Sequence, residues 1–351
     1  MKKVVSILLC FLMLFGVVSC GESDGITGPV NDVVATSTQQ LDSAPDTMEE
    51  SSGLAFVSNG DGTCYVSGIG SCIDNNIIFP KVSPDGDIVT SIANHAFCAT
   101  GTLESVVISE TITRIGAYAF SECANLSNVI LSDSVVILEQ SAFSACEKLE
   151  SVTMSRNIVD IEDYTFYECK SLKSITLHRS TYSIGYKAFG QCSSLENLSI
   201  PDRVKVIEGY AFAGCDKLTS MTIPKSVTEI SGGIFAGCDN LTHISVESGN
   251  AIYKCVNNCI IRDNEVVAVC NGFTIPSDAA ITSIGECAIS HVNAASIIIP
   301  QNITNFDFSA FIGCKNLIDV FYGGSQDDWN AVVKDQHWYL NNSECSIHYA
   351  K

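Results

Sequence analysis

Positive charge is scarce in this sequence: 19 Lys and Arg stand against 39 Asp and Glu, a formal net charge of −20. A phosphate backbone or an anionic lipid surface would be repelled, which argues against nucleic acid as a partner. Histidine is sparse too. His95, His178, His243, His291, His337 and His348 stand at unrelated places, so no acid, base and nucleophile are seen to converge. Neither a phosphate-cradling Gly loop nor a zinc-hydrolase helix motif occurs, so no catalytic residue, metal-ligand set or cofactor is assigned. Long apolar runs are missing as well: the N-terminal stretch, residues 4–18, falls short of the ~20 residues that a helical membrane span needs.

What is present begins with an address. Lys2 and Lys3 precede the apolar stretch, which ends in VVSCGES. This layout resembles the lipobox of bacterial lipoproteins, in which cleavage falls just before a cysteine whose thiol receives diacylglycerol. The resemblance implies that Cys20 is the lipidated first residue of the mature chain, that the protein sits at the outer membrane or cell surface, and that it meets the membrane through this anchor. An ordinary secretory signal with an incidental cysteine is the alternative. Residues 21–53 are rich in Ser, Thr, Asp and Glu and contain no Lys or Arg, the composition of a disordered acidic tether. The ESD after Cys20 is similar to the acidic sorting signals of Bacteroidetes lipoproteins. DSA and DTM resemble that phylum's O-glycosylation sequon, which would place sugar on Ser43 and Thr47.

From Phe97 onward one pattern recurs. Phe97, Phe120, Phe143, Phe166, Phe189, Phe212 and Phe235 follow one another at intervals of 23, most of them preceded by Ala. Three residues beyond the Phe stand Cys123, Cys146, Cys169, Cys192, Cys215 and Cys238, with Thr100 in the first copy. Six beyond it stands Leu, from Leu103 to Leu241, and alternating pairs such as Val106/Ile108 and Val129/Leu131 come next. A fixed period in this range, with Leu and aliphatic residues in a set frame, is the signature of a leucine-rich repeat solenoid. The expected fold is an α/β repeat solenoid of 23-residue coils, with a parallel β-sheet on one face, short helical or turn segments on the other, a β-hairpin insertion and capped ends.

The cysteine column invites a disulfide or metal interpretation, and geometry argues against both. Residues stacked in a ladder have parallel Cα–Cβ vectors and lie about one coil spacing, ~4.8 Å, apart, beyond the ~3.5–4.5 Å between Cβ atoms that a disulfide needs. A metal needs converging ligands rather than a row. The column is therefore expected to be buried and free, each Cys serving as a small apolar residue. Pairing of Cys64 with Cys72, or of Cys259 with Cys270, stays open.

The rhythm breaks after Val246. NCIIRDNEVVAVC gives two alternating strands around Asp263-Asn264, a hairpin inserted between coils, and the pattern resumes at Ile284-Gly285. Both ends are atypical, as solenoid caps are. GTCYVSGIGSCIDNNIIFP predicts two strands around a Gly-rich turn, and QDDWNAVV predicts a helix start near Asp327 or Asp328 with Trp329 folded over the last coil. The divisions are a signal peptide (1–19), lipidated Cys20 with the tether (20–53), an N-terminal β cap (54–91), repeats (92–246), the insertion (247–283), repeats (284–322) and a C-terminal cap (323–351).

The unit I-G-x-x-A-F-x-x-C-x-x-L-x-x-V-x-I-P, the opening GIGSC…IIFP…VTSIANHAF, the hairpin and the closing YGG…DDWN resemble the BspA-like family of bacterial surface leucine-rich repeat proteins. The resemblance implies a non-catalytic surface protein whose partner is a protein, either of the host matrix, such as fibronectin or fibrinogen, or of another bacterium. A glycan partner or a purely structural role is the alternative. Strand parity places two rows outward: Ser105, Asn128, Ser151, Ser174, Asn197, Ser220 and His243 in one, Thr153, Thr176, Ser199 and Thr222 among those of the next. Solenoid sheets commonly serve as extended binding surfaces. These rows are the candidate site, set against the bland alternative of a solvated sheet whose Ser and Thr merely suit strand geometry.

Overall fold

The computed structural model describes residues 49–335, 337 and 345–350. The signal peptide, Cys20, Ser43 and Thr47 lie outside them. The chain winds into a parallel β-solenoid whose coils have three hydrogen-bonded sides. On the front, Asn76–Ile78, Ser105–Val107, Asn128–Ile130 and Ser151–Thr153 pair in parallel, so that Ser105, Asn128 and Ser151 stand opposite one another. The front continues as a Ser174–Asn197 bridge and as Ser220–Ile223 against His243–Val246. Beyond the insertion, Ser296–Ile299, Asp319–Tyr322 and Ser346–Tyr349 repeat it.

A second parallel ladder, absent from the sequence expectation, runs along another side. Ile88–Ile92, Arg114–Ile115 and Ile137–Leu138 form one stretch of it, and Asp160–Ile161, Ser183–Ile184, Val206–Ile207 and Glu229–Ile230 form the next. Most of these strands are two residues long, too short for the alternation that marks a strand in sequence.

The third side is built of turns where helical or turn segments were expected, and the reason lies in the backbone. The residues two before and two after each Phe adopt left-handed conformations, for example Tyr118 (φ 57) and Glu122 (φ 62) around Phe120. The N–H groups consequently alternate. Those of Tyr118, Phe120 and Glu122 donate to carbonyls of the next coil at 3.1, 2.8 and 2.8 Å, whereas those of Ala119 and Ser121 close turns within their own. An α-helix would aim its N–H groups along its own axis, with only the first four left unpaired, and would not offer every second one sideways to the neighbouring coil. The one helix in the described residues, Gln326–Ala331, lies in the C-terminal cap, with Ser325 and Asp328 forming a reciprocal capping box.

The repeat columns become ladders through the core. The Phe rings from Phe97 to Phe235 stack face to face, with centroids 5.2–6.1 Å apart, and Phe79 closes the N-terminal end edge-on at 5.5 Å. All described cysteines are free, Cys64, Cys72, Cys259 and Cys270 included. The column does more than fill space, because each S–H donates to the Phe carbonyl of the preceding coil: Cys146 to Phe120 at 3.1 Å, Cys169 to Phe143 at 3.2 Å and Cys192 to Phe166 at 3.1 Å. Burial holds these thiols protonated, pushing Cys123, Cys192 and Cys238 up to about 12 and Cys146, Cys169 and Cys215 well above the usual 9.0.

The insertion acts as a septum. Tyr253–Val256, Cys259–Arg262 and Glu265–Val269 pair antiparallel, and the last of them joins the second ladder through Ser283–Ile284. Ile260 packs into the core of the N-terminal coils and Ile261 into that of the C-terminal coils, so both faces of this strand are apolar. Trp329 covers the last coil against Phe306 (5.6 Å) and Tyr322 (5.1 Å). At the other end, Ser51 and Gly53, placed in the tether by composition, are tied down: Ser51 N donates to the Ile78 carbonyl and Ser71 N to that of Gly53, each at 2.8 Å.

At two close contacts between coils, glycine is dictated by the backbone of the coil before, which an Asp or Asn side chain also ties down. Asp163 Oδ1 accepts from Tyr186 N at 2.9 Å, and a Cβ on Gly185 would lie 2.8 Å from Asp163 N and 2.9 Å from the Glu162 carbonyl carbon. Asn94 and Gly116 repeat the arrangement, with Asn94 Oδ1 accepting from Ala117 N at 3.1 Å. Because backbone cannot yield as a flexible side chain can, Gly185→Val is expected to destabilise by about 1–3 kcal/mol, measured as a lower urea midpoint. An unchanged midpoint would show that the coils slide apart at little cost.

Candidate binding surfaces

The outward front rows are where strand parity puts them, with unequal exposure. Ser151, Ser174, Asn197, Ser220 and His243 are exposed, as are Thr153, Thr176, Ser199 and Thr222. Ser105 and Asn128 are only half-exposed, and both are engaged within the row: Ser105 Oγ donates to Asn76 Oδ1 at 2.6 Å and Ser151 Oγ to Asn128 Oδ1 at 2.7 Å. Thr222 and Ser245 bond at 2.9 Å in the next row. The flanking charges largely neutralise one another, with Lys173 to Glu150 at 2.9 Å and Lys217 to Glu196 at 3.9 Å. Such exposed pairs contribute ~0–1 kcal/mol, so they shape a level, uncharged face more than they stabilise it.

Sequence reasoning missed the exposed apolar and aromatic side chains at the C-terminal end of this face. Ile298 (64 % exposed), Phe321 (44 %) and His348 stand opposite one another at outward strand positions that carry Ser or Thr in most earlier coils. The His348 ring stacks on Phe321 at 4.7 Å, and its Nε2 lies 2.7 Å from Asp319 Oδ1. Outward parity applied to SIIIP and DVFYG would have found Ile298 and Phe321. Gly272 and Thr274 of the insertion line one groove with His243 and Ser245 and a second with Ser296 and Ile298, joining the two stretches of front.

The turn side carries a second feature that the repeat columns concealed. In the column immediately after the Phe, Tyr167 is followed by Gly190, Ala213 and Ala236, which opens a trench of about 430 Å³. Tyr186, Lys187 and Tyr210 line it, as do Gln191, Asp216 and His291. The Tyr rings meet edge to face, Tyr164 to Tyr186 at 5.4 Å and Tyr186 to Tyr210 at 6.0 Å. Lys187 Nζ lies 5.3–5.8 Å from the centroids of Tyr164, Tyr167, Tyr186 and Tyr210, within cation–π range. Tyr210 Oη reaches Cys287 Sγ at 3.0 Å, and burial with nearby Lys315 lowers the proton affinity of His291.

Among the described residues no group of three His, Cys, Asp or Glu is placed to hold a metal ion, and no helix is long and apolar enough to cross a membrane. The model for the BspA type leucine rich repeat region matches residues 90–193, 159–270 and 268–327, in six copies. No curated protein matches. Among solved structures, a leucine rich cell surface protein from Faecalibacterium prausnitzii A2-165 aligns with a TM-score of 0.60 at 22% identity, over 84% of this chain and 100% of its own. A leucine-rich repeat protein from Bacteroides ovatus aligns with a TM-score of 0.59 at 24% identity, over 87% of this chain and 71% of its own. At these identities the structures speak for the fold alone. Since the family model spans well over half of the sequence, the chain belongs to the BspA-type leucine-rich repeat family.

Proposed function

We propose that the protein is a non-catalytic binding protein of the cell surface, held at the outer membrane through lipid on Cys20, and that its front face takes up a protein partner by adhesion. The observation that carries this reading is the pairing of level hydroxyl and amide rows with the exposed Ile298, Phe321 and His348 at their C-terminal end. Interfaces draw most of their energy from a few aromatic or aliphatic anchors surrounded by neutral contacts, and this face offers both. The family resemblance nominates a host matrix protein or a surface protein of another bacterium, and the Faecalibacterium protein is described as a cell surface protein.

Capture of immobilised fibronectin and fibrinogen, and of intact partner bacteria, tests the proposal. Converting Ser151, Ser174, Asn197 and Ser220 to Lys is expected to abolish capture, and Phe321→Ala to weaken it about tenfold, the scale of a ~1.4 kcal/mol anchor. Unchanged capture by both variants would remove the front face as the site. Labelling with a clickable fatty acid tests the anchor, since a Cys20→Ala form that still labels would overturn it.

A further inference from the structure

We infer that the tyrosine trench on the turn side is a carbohydrate site, taking a short run of linked sugars of which the one beside Lys187 carries a carboxylate. It is a different surface from the front face, and the inference does not depend on a protein partner there.

The lining chemistry suits a saccharide. Tyr167, Tyr186 and Tyr210 offer ring faces and edges to the apolar side of a sugar ring, as aromatic side chains do for flat ligands with a polar rim. Gln191, Asp216 and His291 bring an amide, a carboxylate and an imidazole to the same space, a mixture that can both donate to and accept from hydroxyls. Floor residues Gly190 to Ala236 span two coil spacings, roughly 10 Å, which gives room for more than one ring.

Charge narrows the class. Lys81, Lys170, Lys173 and Lys217 each face a Glu. Lys187, like Lys205 and Lys254, makes no ion pair among the described residues, and it is set apart by the tyrosine rings around it. In a chain of net charge −20, a half-buried cation without a carboxylate is a ready partner for an anionic group on a ligand. Asp216, also in the trench, disfavours a polyanion and leaves a ligand with its charge localised near Lys187.

A peptide strand fits less well. The floor's backbone donors are already used: Gly190 N bonds to the Lys187 carbonyl (3.0 Å), Gln191 N to Ala213 (2.6 Å), Ala213 N to Tyr210 (2.9 Å), Gly214 N to Ala236 (2.8 Å) and Ala236 N to Gly233 (2.9 Å). Strand addition needs a row of free main-chain groups, and the row along this floor is taken. Recognition must come from side chains.

The test is an array of di- to tetrasaccharides, glucuronate-bearing, sialate-bearing and neutral, with acidic peptides alongside, probed with the full-length protein. Binding to at least one carboxylated saccharide is expected, weakened tenfold or more by Tyr186→Ala and by Tyr210→Ala and retained by Tyr210→Phe, which keeps the ring. Lys187→Gln is expected to erase the preference for carboxylated over neutral saccharides, and the four-lysine front variant to bind as the parent does. Should Tyr210→Ala fail to fold, Tyr186→Ala and Lys187→Gln decide. Absence of saccharide binding, binding of the acidic peptides in its place, or undiminished binding by Tyr186→Ala would overturn the inference.

Discussion

Raising the pH from 9 to 11 is expected to destabilise the repeat coils steeply. The thiols of Cys123, Cys192 and Cys238 are held up to about 12 and that of Cys314 up to about 11, against an ordinary 9.0, with burial the leading cause in each. Cys146, Cys169 and Cys215 move in the same direction for the same reason. Above pH 9 the unfolded chain releases protons that the folded chain keeps, so stability falls as pH rises and the loss is complete only past the folded values; below pH 9 the thiols leave stability flat. Each such group contributes up to about 1.4 kcal/mol per pH unit. The four thiols of Cys123, Cys192, Cys238 and Cys314 together give roughly 6 kcal/mol per unit as an upper bound, a large part of the stability of a typical domain, ~5–15 kcal/mol. Circular dichroism and urea midpoints between pH 8 and 11 measure the slope, and Cys192→Ala combined with Cys238→Ala is expected to make it shallower. A pH-independent midpoint, or a slope indifferent to those substitutions, would refute the assignment.

Phe143→Ala comes next in size. The Phe143 ring is fully buried and stacks at 5.3 Å on Phe120 and at 5.9 Å on Phe166, so its loss leaves a void with two aromatic walls. Truncation of a buried Phe costs about 3–5 kcal/mol. Because a solenoid coil contacts only its neighbours, the damage is expected to stay near the cavity. Hydrogen exchange should accelerate most in the coils of Phe120, Phe143 and Phe166 and least beyond the septum strand Cys259–Arg262. Uniform acceleration would mean that the rod melts as one unit.

The phase of the repeat was legible because three core columns are nearly uniform: Phe, Cys and Leu recur at identical spacing, and the coils stack in that register. Three features were not. The second ladder, as in Arg114–Ile115, is too short to show a period. The turn side carries Ala-Phe runs that an α-helix would also accept, and what decides against the helix is the demand of the next coil for N–H groups, a tertiary constraint. The tyrosine trench exists because one column changes from Tyr167 to Gly190, Ala213 and Ala236; a search for recurrence discards such a change as noise. On the front face, parity located the polar rows, whereas Ile298 and Phe321 lay past the insertion in coils whose outward positions depart from the earlier pattern.

From Cys123 to Cys238 the thiol hydrogen bonds all point the same way, from each coil to the one before it, and this gives the rod a grammar for changing length. A 23-residue unit duplicated anywhere from Cys123 to Cys238 finds a waiting carbonyl upstream and presents another downstream, so lengthening leaves no donor idle. Thr100 marks where the sentence must begin, at the coil with no predecessor of its own kind.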